Sequence, residues 1–353
     1  MPGRWPKVCR WHRHTWPLYA RYLARGTDPI FVGPFRGEVG YEALYWMPWV
    51  RAFAVKYKIA PERLIPITRG GAAEWYGVPM GLELLSMRSE QTLRVQNRLD
   101  QQVYGWQKQF AFTAFDQGIV KDAAHTLKIP RFKTLHPGWM YGDLEPFITV
   151  QAGLHSLNGK LGFDVLPPPA LPDGLKLPEQ FVAVRYYSRP SFPVNPLTTS
   201  FARESIAKLA HTYPVILLNH SAKSDDHVDF RPKDLPANVQ VLSDMTTILP
   251  ERSLAITSAV MARAIGFVGT YGGLAHLALR FNRPTFCFYQ ELVATTVANK
   301  HLSEHLAKHQ GIPFMALPIQ PLVHLQQIVP TLTMQVQGPT LSSAASRQAL
   351  AAP

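Results

Sequence analysis

The loop Thr270-Tyr-Gly-Gly273 carries the residue types needed to receive a phosphate group. It follows the apolar run 266–269, and a helical pattern begins at Leu274. Glycine lacks a Cβ, so Gly272 and Gly273 let the backbone turn sharply and let a ligand approach it. A helix start adds free N–H groups and a positive dipole end. Thr270 and Tyr271 could hydrogen-bond the ligand, and His276 falls in the first turn beyond it. The plainer alternatives are an ordinary strand-to-helix turn and a buried structural histidine. In VRYYSRP, Arg185 and Arg189 lie at the end of another apolar run; guanidinium forks suit a diphosphate, and a cation offsets charge on a leaving group. Ser243 and Asp244 end VQVLSD and could contact a base or ribose, although both residue types also favour helix N-caps.

These loops need strands and helices to hold them. Apolar runs at 29–33, 64–67 and 82–85 read as strands of a first sheet, with helical stretches at 41–58, 89–109 and 116–128. After the proline-rich run 166–174 the alternation resumes. Strands are expected at 181–187, 215–219, 239–242, 266–269, 285–289 and 313–317, with helices at 199–212 and 250–264. Strands alternating with helices predict α/β architecture: two Rossmann-like, doubly wound domains facing across a cleft. The expected boundaries are a basic aromatic extension (1–27), a first domain (28–165), a stiff linker (166–174), a second domain (175–332) and a flexible tail (333–353). In such sheets ligands collect at the carboxyl ends of strands, where all the loops above fall.

Composition narrows the class. With 46% hydrophobic and 17% charged residues the chain is globular. A net charge of +12 suits polyanionic partners: nucleic acid, an anionic membrane surface or phosphorylated substrates. Nothing resembling a nucleic-acid-binding motif accompanies it, so no nucleic-acid partner is expected. Residues 1–27 mix Arg, Trp, His and Tyr, which reads either as an extension draped on the first domain or as an interfacial anchor on anionic lipid. The two cysteines, Cys9 and Cys287, suit a reducing compartment, and no run reaches transmembrane length. A cytoplasmic location follows, with peripheral contact to the inner face of the membrane as an option. No Asp-x-Asp pair or zinc spacing is present: Asp225-Asp226 reads as a solvated turn and His12 and His14 as isolated. Neither GxGxxG nor GxxxxGK[ST] occurs, which disfavours a dehydrogenase or P-loop enzyme.

VGTYGGLAHLALRFNRPTFCFY resembles the nucleotide-sugar loop of GT-B glycosyltransferases, and FVGPFRGEVGYEALYWMPWVR, ITRGGAAEWYG and LHPGWMY resemble bacterial surface-polysaccharide transferases of that architecture. The resemblance implies transfer of a sugar, of hexosyltransferase type, from a nucleoside-diphosphate sugar to a glycan or lipid-linked acceptor; with no Asp-x-Asp pair or zinc spacing, the expected reaction uses no metal, and no other cofactor is expected. The resemblance also implies donor contacts from the 270–273 loop and from Arg185, since fucosyltransferase-like enzymes carry arginine after the corresponding strand, and a ribose contact from Glu291. Arg36, Arg69 and Tyr141, in the matched loops of the first domain, are then expected on the acceptor side. An attacking hydroxyl needs a proton acceptor. Glu38, flanked by Gly37 and Gly40 after the first strand, is the expected base. Its plainer role is a helix-start carboxylate favoured by the macrodipole. His136 and Asp143 are the reserve candidates. A sugar-nucleotide epimerase or hydrolase of the same fold, and a non-catalytic scaffold for membrane or polyanion, remain alternatives because fold does not fix function.

Overall fold

The computed structural model describes residues 7–104, 109–148, 160–219, 228–232, 234–292 and 294–319. In the first domain the strands are β1 (Ile30–Val32), β2 (Leu64–Thr68), β3 (Leu82–Glu83) and β4 (Lys133–Leu135), in parallel order β3-β2-β1-β4. Its helices are α1 (Lys7–Ala24), α2 (Val39–Tyr41), α3 (Met47–Lys56), α4 (Glu90–Tyr104), α5 (Ala114–Thr126) and α6 (Pro137–Ile148). The second domain has β5 (Val182–Arg185), β6 (Val215–Leu217), β7 (Val239–Val241), β8 (Gly266–Thr270), β9 (Thr285–Tyr289) and β10 (Phe314–Pro318). These form a parallel sheet ordered β10-β9-β8-β5-β6-β7. Around it lie α7 (Pro196–Thr212), α8 (Leu242–Met245), α9 (Ser253–Met261), α10 (Gly273–Arg280) and α11 (Ala294–Gln310). Two doubly wound parallel sheets are thus the observed architecture, as the alternation of strands and helices predicts.

Strands and helices begin where local chemistry directs. All of β1, β2 and β8 is buried, in keeping with their apolar character up to the closing Thr68 and Thr270. Helix α7 starts three residues before the expected 199, because Asn195 and Thr198 form a reciprocal capping box and Pro196 suits the first helical position. The expected strand 82–85 shortens to β3, since Glu83 turns its carboxylate back onto the N–H groups of Gly70, Gly71 and Leu85. The helix expected from 41 starts at Val39 and passes through a π-helical turn, Glu42–Trp46, before α3. Pro48 cannot donate to the carbonyl four residues back, and the wider turn absorbs the mismatch.

Of the expected extension 1–27, residues 7–27 are described. Helix α1 packs against α6 and buries Trp16, Ala20 and Leu23. Tyr19 donates to Thr134 O at 2.6 Å, and the His12 ring donates to Gly138 O at 2.9 Å. Burial pulls the His12 pKa down to about 4, partly offset by that carbonyl. The proline run 166–174 is fastened to the second domain: Leu166 N–H donates to Arg280 O and Arg263 to Pro169 O, each at 2.8 Å. Cys287 is a buried free thiol in β9. The tail 333–353 and Asp225-Asp226 lie outside the described residues.

The domains meet over a shared core running from Trp46 and Trp75 to Leu254, Val260 and Leu274. Two N–H groups of the first turn of α9, those of Leu254 and Ala255, donate to Gly70 O at 2.8 Å each, so a carbonyl of the first domain satisfies donors that α9 leaves open. Trp75 donates to Ser258 at 3.0 Å and Tyr45 to Asn299 at 2.8 Å across the same junction.

Candidate functional site

In each sheet the strand order reverses at one place, and a doubly wound fold gathers its ligands in the crevice there. In the first domain the reversal lies between β1 and β4, whose carboxyl ends lead to Glu38 and His136. In the second it lies between β5 and β8, which lead to Tyr187, Arg189 and the 270–273 loop. The two crevices face each other. Glu38 is exposed at the start of α2, and its charge reaches Tyr41 beside it and Tyr187 across the junction. Burial raises both phenols, and Glu38 adds to the rise.

Arg189 forms the floor on the second domain's side. It is half-buried and donates from Nη1 to Tyr271 O at 3.0 Å. It also hydrogen-bonds Tyr187, whose phenol it pulls down against burial. A Cβ on Gly272 would collide with Arg189 Nη1 and the Tyr187 hydroxyl, so glycine is what lets these groups close over the loop. Gly273 serves another contact. A Cβ there would stand 2.9 Å from Gly40 N, and one on Gly40 would stand 3.0 Å from His276 Cδ2. The backbone of Gly273 is therefore met by the first domain. Gly273→Val is expected to lower the unfolding midpoint, read by thermal melting, before ligand binding enters; an unchanged midpoint would show that the junction relaxes freely.

Other residues of the 270–273 region are engaged within the fold. Thr270 is buried, accepting from Tyr187 N at 3.1 Å and donating to Tyr187 O at 3.2 Å. Tyr271 is buried and donates to Thr296 O at 2.9 Å. His276 bonds Ser303 at 2.8 Å, and burial holds its pKa down to about 3, as the structural alternative requires. Arg185 pairs with Asp229 at 2.9 and 3.2 Å and lies over the Tyr187 ring. Glu291 is exposed between β9 and α11, ahead of the helix start.

A cavity of about 290 Å³ opens beside Tyr187. Phe192, Pro193 and Phe230 give it apolar walls, while Ser188, Asp229 and Arg231 supply polar groups. Mostly apolar walls with a few placed polar groups are the pattern of small-molecule sites. Arg231 extends to Asp244 at 2.7 Å, and Ser243 donates to Asp244 at 3.3 Å. This brings Asp244 to the rim of the cavity through Arg231. The 228–231 wall was not singled out from the sequence, because a single bridge, Tyr187 to Asp229, brings it to the end of β5.

On the first domain's side the expected residues divide. Arg69 is buried and donates to Gly37 O at 2.7 Å, holding the chain just ahead of Glu38. Tyr141 is buried near Tyr41. Arg36 is buried and turns inward to Asp116, Asp100 and Asn97. His136 is buried, accepts from Gly138 N at 3.1 Å and stands 3.6 Å from Asp116. Asp143 pairs with Lys160 at 2.6 Å and accepts from Trp49 at 3.0 Å, in a separate pocket lined by Trp16, Phe53 and Lys56. Of the two reserve bases, His136 follows the strand beside that of Glu38 and is paired inward, while Asp143 belongs to the separate pocket. Sequence reasoning missed Glu42, the buried carboxylate that accepts from Thr68 at 2.6 Å and Tyr76 at 2.8 Å. Its place in a continuous apolar helix gave no signal. Among the described residues no group of three or more His, Cys, Asp or Glu is placed to hold a metal ion.

No family model and no curated protein sequence matches the chain. Among solved structures, E. coli heptosyltransferase WaaC with ADP aligns at 13% identity and a TM-score of 0.43, over 87% of this chain and 99% of that one. The iron-containing dodecameric heptosyltransferase TibC, in complex with ADP-D-beta-D-heptose, aligns at 14% identity and a TM-score of 0.40. That match covers 76% of this chain and 60% of TibC. The wall teichoic acid polymerase TagF aligns at 11% identity and a TM-score of 0.27, over 93% of this chain and 86% of that one. The architecture stands on the strand order and register described above.

Proposed function

We propose that the chain transfers a sugar from a nucleoside-diphosphate sugar to a hydroxyl of a glycan or lipid-linked acceptor. The observation that carries this reading is the carboxylate of Glu38 lying across the domain junction from Tyr187 and Arg189, where the crevices of two parallel sheets meet. The nucleoside occupies the cavity beside Tyr187, and its diphosphate extends toward Arg189. The acceptor oxygen attacks the anomeric carbon as Glu38 takes its proton. The bond from that carbon to the diphosphate oxygen breaks, and the nucleoside diphosphate leaves with the electron pair. Arg189 offsets the charge that develops on it, so the transfer runs without a metal. Arg69 holds Gly37 and thereby keeps the Glu38 loop in register with the crevice.

The test is Glu38→Gln, which keeps the shape and removes the basicity. Incubated with labelled sugar nucleotides and a glycan acceptor, the variant should lose about 100-fold or more in turnover while nucleotide binding, read by thermal shift, survives. Near-parental turnover would remove Glu38 from the role. Release or isomerisation of the sugar by the parent without any acceptor would replace transfer with hydrolysis or epimerisation. Inactivation by a chelator, reversed by magnesium, would overturn the metal-free step.

A further inference from the structure

Helix α1 shows solvent a face that the fold covers only at its edges, where Trp11 touches Trp139 at 5.7 Å between ring centroids and Tyr22 touches Tyr19 at 5.7 Å. On a helical wheel its inward residues His12, Trp16, Ala20 and Leu23 fall on one side and meet α6 and α3. On the opposite side Trp11, Leu18 and Tyr22 line up at spacings of seven and four residues, within about 40° of one another at 100° per residue. They are 59%, 69% and 52% exposed, unusual for three large apolar side chains in one row. Along a helix they span roughly 16 Å at 1.5 Å per residue. The flank of this row is basic: His14, Arg21 and Arg25 are exposed beside it, and Arg13 lies further round. The helix from Lys7 to Ala24 contains no acidic residue. The ammonium of Lys133, from β4, sits 4.8 Å from the Tyr22 ring.

We propose that this face of α1 docks the protein on an anionic lipid bilayer. The helix lies in the interfacial plane, with the Trp11, Leu18 and Tyr22 side chains entering the headgroup boundary and the arginines resting on lipid phosphates. A soluble polyanion would reward the cations and leave the apolar row in water. A neutral protein partner would reward the row and leave the cations without counter-charge. An anionic interface satisfies both at once. No described helix is long and apolar enough to cross a membrane, so the contact is peripheral. The inference is independent of the sugar-transfer reading and stands or falls apart from it.

The experiment is co-sedimentation of the full chain with phosphatidylcholine vesicles, with and without phosphatidylglycerol. The parent should pellet with the phosphatidylglycerol-containing vesicles, less with the neutral ones, and less again at high salt. The combined variant Trp11→Ser, Leu18→Ser, Tyr22→Ser should lose about tenfold or more in vesicle partitioning. Arg21→Glu with Arg25→Glu should abolish the preference for phosphatidylglycerol. Trp11 and Tyr22 also touch Trp139 and Tyr19, so the unfolding temperature of each variant is measured beside the pelleting, which separates lost docking from lost folding. A parent that stays in the supernatant with phosphatidylglycerol vesicles overturns the proposal. So does a serine variant that pellets like the parent, or a parent that binds an oligonucleotide duplex and no vesicle.

Discussion

Arg36→Met is expected to destabilise the protein by about 3–5 kcal/mol, a loss typical of removing one partner from a buried ion network. The guanidinium donates from Nε to Asp116 Oδ1 at 2.9 Å, from Nη2 to Asp100 Oδ2 at 2.8 Å and from Nη1 to Asn97 Oδ1 at 2.7 Å. The side chains of Arg36 and Asp116 are fully buried and that of Asp100 nearly so. Methionine fills the volume but strands two carboxylates in the interior. Lysine would keep the charge and lose the planar fork that reaches three partners at once. Burial alone would raise the Asp116 carboxyl, yet His136 and Arg36 hold it well below the usual carboxylate range. A depressed acid contributes stability above its unfolded pKa, and that contribution drains away as pH falls toward the folded value. In urea unfolding at neutral pH the midpoint should drop with an unchanged slope. A loss under about 1 kcal/mol would mean that the carboxylates find water or protons cheaply, and the network would not be what ties α4 and α5 to the loop after β1.

Glu42→Gln is expected to gain stability over the parent as pH rises. Burial pushes the Glu42 carboxyl up to about 7, even though the Thr68 and Tyr76 hydroxyls favour its ionised form. The sign follows from the direction. A group whose folded pKa is raised contributes its full stability below its unfolded pKa, near 4.5, and loses it as pH climbs through about 7. A shift of this size corresponds to roughly 3 kcal/mol, at 1.36 kcal/mol per pKa unit. Glutamine resembles the protonated acid, so parent and variant should be close in stability near pH 5 and diverge in the variant's favour by pH 8. Differencing against the parent cancels the opposite trend of His12 and His276, whose depressed values lose stability toward acid. Chemical unfolding at several pH values reads this directly. A difference that stays flat from pH 5 to 8 would show that Glu42 ionises without penalty.

The alternation of apolar strands with helices determined the two parallel sheets, because strands buried on both faces must be continuously apolar wherever they lie in the chain. That Thr270-Tyr-Gly-Gly273, Arg189 and Glu38 follow strand ends was legible for a related reason: the ends of such strands are known from the same pattern. The partners of those loops were not legible. Arg36 and Arg69 are alike in sequence, each an arginine beside glycine after a strand, yet one meets buried carboxylates on α4 and α5 and the other meets Gly37 O. Which way a long side chain turns depends on charges brought near by distant segments, and no local pattern encodes that. The same holds for Gly273, whose missing Cβ serves the approach of Gly40, and for Glu42, whose burial depends on Thr68 and Tyr76. The sequence alone determined the layers and the ends of strands where chemistry collects. Tertiary packing, within the first domain for Arg36, Arg69 and Glu42 and between the domains for Gly273, decided which polar groups are paired and buried, because pairing and desolvation are set by neighbours remote along the chain.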